Sequence, residues 1–139
     1  MTEESTRTAV HDLYQAYAKG DGARVAELID DNIDWVMHGP MDIFPFAGHR
    51  QGKAAVLEAL AAMARDYLLE RYVPQVMVVD GDAAAVLSDV AFRQRSTDRM
   101  ISFHIADFLR FRDGRVVEFR EFSNTFDVVE QALGHVIPL

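Results

Sequence analysis

The chain has 139 residues, half of them hydrophobic and about a quarter charged, with a formal charge of −8 and no cysteine. That length suits one domain, spanning 1–139, with room for a sizeable core. The acidic balance argues against nucleic acid as a partner, and the absence of cysteine removes disulfide and thiolate chemistry.

No apolar run approaches the ~18 residues that cross a bilayer, so no membrane partner is expected. The start, "MTEESTRTAV", is polar and acidic, unlike a secretory leader, and a cytoplasmic location is expected. Residues 3–19 place Val10, Leu13, Tyr14 and Tyr17 at helical spacing, and "KGDG" at 19–22 ends that helix. A short second helix follows, with Val25, Leu28 and Ile29 on one face. "NIDWVMH" at 32–38 alternates as a strand, with Trp35 and Met37 on one side and His38 on the other.

The next stretch, "HGPMDIFPFAGHRQG" at 38–52, carries two prolines and three glycines together with Met41, Ile43, Phe44 and Phe46. A loop so restricted in backbone freedom fits a rim or lid. Phe44 and Phe46 then either close over an apolar ligand or plug the core; the pattern serves both. After Gly52, Val56, Leu57, Leu60, Met63, Ala64 and Tyr67 mark a third helix.

From residue 71 the period becomes two. "RYVPQVMVV", "AAAVLSDVAFRQR", "RMISFHIADFLRF" and "RVVEFREF" predict four strands, joined by "DGD", "STD" and "RDG" as antiparallel hairpins. "TFDVVEQAL" predicts a short last helix. Helices first and a meander after them give an α+β fold, a curved sheet with helices across one face and a cone-shaped interior. The arginines at 93, 95, 99, 110, 112, 115 and 120 are interleaved with apolar residues and read as a solvated sheet face.

Two acids have apolar neighbours. On 101–111 the odd positions are Ile101, Phe103, Ile105, Asp107, Leu109 and Phe111, so Asp107 shares the face predicted to point inward. Burial disfavours the charged carboxylate there. On the following strand Val117, Phe119, Glu121 and Ser123 share one face, but Val116 and Phe122 make the other apolar too, so parity alone leaves the inner side open. If the Phe119 face is inner, Glu121 joins Asp107, and two acids in one apolar pocket have their proton affinities pushed apart. The alternative is that either acid caps a loop or pairs with Arg50 or Arg120.

The runs "AYAKGDGARVAELIDDNIDW", "HGP…PFAG…GKAAV" and "HIADFLRFRDGRVVEFREFSNT" resemble the SnoaL-like, ketosteroid isomerase-related group of the nuclear-transport-factor-2-like superfamily. The resemblance covers nearly the whole chain. It implies a cystatin-like roll: a cone-shaped, mixed and largely antiparallel sheet with the N-terminal helices on its concave face. It also implies proton-transfer chemistry on an apolar, carbonyl-bearing substrate, as an isomerase, cyclase or dehydratase.

In that family Asp107 matches a neutral aspartic acid that donates to an oxyanion. The companion tyrosine falls without gaps on Leu13, with Tyr17 one turn later as its replacement. The general base falls at Met37 or His38. The positions that an epoxide-hydrolase triad would need are Val90 and Phe92, both apolar, and a cyclase aspartate is replaced by Asn124.

The resemblance therefore implies Asp107, Glu121, Tyr17 and His38 as catalytic candidates. Trp35, Met37, Phe44, Phe46, Phe103, Phe119 and Asn124 are the substrate-binding candidates. The five histidines are scattered, so neither a metal nor another cofactor is expected. A small apolar ligand is the expected partner, turned over or merely held. The outer sheet face (Ala91, Arg93, His104, Ala106, Phe108, Phe122) suits a homodimer.

Overall fold

The computed structural model describes all 139 residues. Thr2 opens the first helix, α1 (Glu3–Ala18), by accepting from the Ser5 amide at 3.0 Å, while Ser5 accepts from the Thr2 amide at 3.0 Å. That reciprocal box satisfies two amides that a helix start leaves bare. Val10, Leu13 and Tyr14 are buried on one face, as their spacing predicts. Asp21 then caps α2 (Gly22–Leu28) through Oδ1, and β1 (Ile29–Met37) follows with no loop between.

Within 38–52 lies a short strand, β2 (Gly48–Gln51), antiparallel to β1. Its sequence, "GHRQ", has no apolar alternation, and an edge strand with no buried face needs none, so periodicity could not reveal it. Helix α3 (Lys53–Asp66) passes directly into β3 (Tyr67–Asp80), four residues before the expected start. Tyr67 serves both elements: its amide still bonds to Met63 O, yet its backbone is extended (φ −134, ψ 135). The expected meander of β4 (Ala83–Gln94), β5 (Met100–Arg112) and β6 (Arg115–Ser123) leads to α4 (Thr125–Leu133).

The six strands form one sheet in the order β2-β1-β6-β5-β4-β3. All neighbours are antiparallel except β1 and β6, which run parallel, so the sheet is mixed. Pro74 lacks an amide donor and sits on the edge strand β3, where the ladder slips between Pro74 and Val76. No helix is long and apolar enough to cross a membrane.

The core has two parts. One gathers α1, α2, β1 and the closed end of the sheet, including Val10, Ile33, Phe111 and Val116. The other joins Phe44, Phe46 and Ala47 of the loop to α3, Ile101 and the buried face of α4. Both walls bound an interior cavity.

Candidate active site

Strand parity aims the first acid. On β5 the odd residues Ile101, Ile105, Leu109 and Phe111 are buried, and Asp107 among them is 0% exposed. The second acid is aimed by a β-bulge. Arg110 pairs with Glu118 but Phe111 pairs with Val116, so Val117 is the extra residue. The bulge lets both Val116 and Phe119 turn inward, and Glu121 and Ser123 follow Phe119 to the cavity. Asp107 and Glu121 are direct cross-strand partners.

Asp107 Oδ2 accepts from the Tyr14 hydroxyl at 2.5 Å and from the Tyr72 hydroxyl at 3.2 Å. As cross-strand partners, the carboxyls of Asp107 and Glu121 are close enough for each to shift the other's proton affinity. Asp107 Oδ1 is buried and has no hydrogen-bond partner. Neither arginine considered for these acids reaches them: Arg120 binds Asp34 at 2.7 Å, and Arg50 binds the Pro45 carbonyl at 2.9 Å.

Burial is the largest force on both acids. It pushes Asp107 up to about 6, against the opposing hydrogen bonds from Glu121, Tyr14 and Tyr72. Burial, with the Asp107 charge added, pushes Glu121 well above the usual carboxylate range. Two carboxylates side by side in an apolar site do not both ionise. The two phenols on Asp107 favour its anion, whereas burial and the Asp107 charge favour the neutral form of Glu121. Burial also raises Tyr14, Tyr17 and Tyr72, keeping each phenol protonated as a donor.

The cavity measures about 130 Å³, and its lining is mostly hydrophobic. Trp35, Met37, Phe44, Phe46, Phe103 and Phe119 all line it. Phe44 and Phe46 also belong to the second core cluster, so closing the cavity and plugging the core are one role. Trp35 stacks on Phe119 with ring centroids 3.8 Å apart.

Three expected residues sit differently. The Tyr17 hydroxyl lies in the cavity wall but donates to Met63 Sδ at 3.5 Å, and Tyr14 holds the acid instead. His38, just past the end of β1, borders the cavity but stays exposed at its rim, its ring stacked on the outer-face Phe122. Asn124 is exposed at the start of α4 and makes no cap bond; its neighbours Ser123 and Thr125 border the cavity.

Tyr14 and Tyr72 are the residues that sequence reasoning missed. Tyr14 was visible as one step beyond Leu13 on the same helix. Tyr72 gave no signal, because its strand carries a register slip between Leu69 and Arg71 that breaks simple alternation. No group of three or more His, Asp or Glu side chains is arranged to hold a metal ion.

The family model described as "SnoaL-like domain" matches residues 10–119. A crystal structure from Rhodopseudomonas palustris, provisionally called an isomerase, is 41% identical, with 97% of this chain and 100% of that one covered and a TM-score of 0.85. An NTF2-like protein from Burkholderia xenovorans LB400 is 22% identical over 95% of this chain and 98% of its own, with a TM-score of 0.82. An LEH-like epoxide hydrolase of M. tuberculosis is 17% identical, covering 95% and 92%, with a TM-score of 0.78. The last two show a shared fold only. Here the strand β4 carries Val90, which is buried, and Phe92. No curated protein matches the chain at a significant level.

Proposed function

We propose that this chain, which belongs to the SnoaL-like domain family, is an isomerase that moves a proton within a small, apolar, carbonyl-bearing substrate. The observation that carries the reading is the Asp107–Glu121 carboxyl pair, cross-strand neighbours lining an apolar cavity, with two phenols fixed on Asp107 and both proton affinities raised by burial. The provisional isomerase naming of the 41% identical relative agrees with it.

Glu121 borders the cavity and meets the substrate, while Asp107 is its buried partner. In the first step the substrate's α-proton passes to the free oxygen of Glu121 as the proton of Glu121 passes to Asp107. The pair changes from −1 to neutral and the substrate from ketone to enolate, so charge balances. Tyr17, held only by a weak bond to sulfur, is free to donate to the enolate oxygen. The reverse transfer delivers a proton to a different carbon, and the pair returns to its starting state. A cavity of about 150 Å³ holds a benzene-sized guest, so the substrate head has one ring or a short branched chain rather than a steroid skeleton.

The protein works as a homodimer joined through its outer sheet face. Val76 beside Leu87, and Phe108 and Phe122 further along the same face, are all exposed large apolar residues.

The test is conversion of cyclohex-3-en-1-one to cyclohex-2-en-1-one, followed by absorbance and by deuterium incorporation in heavy water. Wild type is expected to accelerate both. Glu121→Gln and Asp107→Asn should each lose about 100-fold or more, the usual weight of a positioned acid–base group. Binding of the ketone without exchange would overturn the isomerase reading in favour of a ligand-holding protein.

A further inference from the structure

Beside the cavity lies a second, open cleft of about 450 Å³, at the junction of the 43–46 loop, the end of α3 and the turn after β4. Phe46 and Tyr67 line both spaces. Their rings meet edge to face, with centroids 5.9 Å apart, so the two spaces adjoin at this aromatic pair.

The two sides differ in chemistry. The cavity is greasy, whereas the cleft is lined by Arg65, Arg95, Gln94 and Ser96, with Asp66 its one acid. Neither Arg65 nor Arg95 forms an ion pair; Arg95 is steadied by its Nε on the Ala64 carbonyl at 3.1 Å and its amide on the Asp66 carbonyl at 2.9 Å. Two more arginines without carboxylate partners reach the cleft's lining residues: Arg50 through the Pro45 carbonyl, and Arg99 through Gln94 Oε1 at 3.0 Å. Among the other arginines only Arg7 and Arg115 also lack a carboxylate partner. In a chain of net charge −8, gathering uncompensated guanidinium groups at one cleft favours an anion there.

We propose that the substrate carries an anionic group, a carboxylate or phosphate ester, held by Arg65 and Arg95 in this cleft while its apolar head fills the cavity past Phe46 and Tyr67. The proposal rests on the reading of the cavity as the substrate site and adds the chemical class of what enters it. Guanidinium groups bind carboxylate and phosphate oxygens as a fork, so both anions suit the same pair.

Matched ligands test it: 4-phenylbutyrate and its neutral amide share a one-ring head and a three-carbon tail. The single tryptophan, Trp35, lines the cavity and reports occupancy by its fluorescence. Wild type is expected to prefer the acid over the amide by about tenfold, the scale of two exposed ion pairs. Raising the salt concentration should weaken the acid alone. Arg65→Gln with Arg95→Gln, both exposed, should erase the preference and leave amide affinity unchanged.

Equal binding of acid and amide by wild type overturns the anionic subsite and leaves the cavity reading standing. So does equal loss of both ligands in the variant. Failure of both ligands to bind removes the subsite and the substrate cavity together. Inorganic phosphate in place of the tail separates the two anions: competition against 4-phenylbutyrate alone is expected, and competition against the amide counts against the proposal.

Discussion

Tyr14 and Tyr17 sit one helical turn apart and are expected to answer the same change in opposite ways. Tyr14→Phe strips a donor from a fully buried carboxyl and should cost about 1–3 kcal/mol of stability in urea unfolding. Tyr17→Phe loses only a 3.5 Å contact to sulfur, so stability should move by less than about 0.5 kcal/mol while turnover slows. The acid pair also fixes the sign of a pH effect. Its pKa values are raised in the folded state, so the native protein binds protons that the unfolded chain has released. Stability therefore falls as pH rises from about 4 through about 6 and does not return above that. Glu121→Gln should flatten this fall, as read from melting temperatures between pH 4 and 7.5. Asp34, held low first by its hydrogen bond to His49 and then by Arg120, acts with the opposite sign and only at lower pH.

At the scale of elements, what was readable depended on whether alternation survived. On β5 it runs unbroken, and the inward aim of Asp107 followed from its neighbours. On β6 the extra residue Val117 sends Val116 and Phe119 to the same side, a pattern that two-residue parity contradicts, so Glu121 stayed ambiguous. Asn124 rests on the family resemblance and not on parity: Ser123 and Thr125 line the cavity on either side of it, so the period of two itself points Asn124 away. The roles of the acids were unreadable because they depend on phenols brought from α1 and β3, far away in sequence. Gly134 gives an element-scale prediction. It ends α4 at φ +80, and a β-carbon there would lie 2.7 Å from the Arg99 guanidinium carbon. Gly134→Ala should cost about 1 kcal/mol or more, lowering the melting temperature by a few degrees.

For the molecule as a whole, the curved sheet separates two apolar surfaces, one enclosing the cavity and one facing outward. The outer surface runs across strands, since Val76 pairs with Leu87, Leu87 with Ala106 and Ala106 with Phe122. Phe108, half exposed, lies beside them with its ring edge-on to Phe122. A charge placed there meets its symmetry mate's surroundings twice in a dimer. Phe108→Glu should therefore weaken the proposed association by about 100-fold or more, giving a monomer in sedimentation at micromolar concentration, where the proposal expects wild type to sediment as a dimer. A wild-type monomer under those conditions would remove the dimer proposal and leave the cavity chemistry untouched.

The parallel seam between β1 and β6 imposes an order on how the protein is made. Residues 29–37 emerge about 80 positions ahead of the strand that must lie beside them. At ~5–20 residues per second of synthesis, that strand waits roughly 4–16 seconds with one bonding edge bare. Until then Trp35 has no Phe119 to cover it, and the rim loop has no wall to rest on. Newborn chains are most vulnerable to sticking together in that interval, and a chaperone that shields extended apolar segments would help most before residue 115 appears.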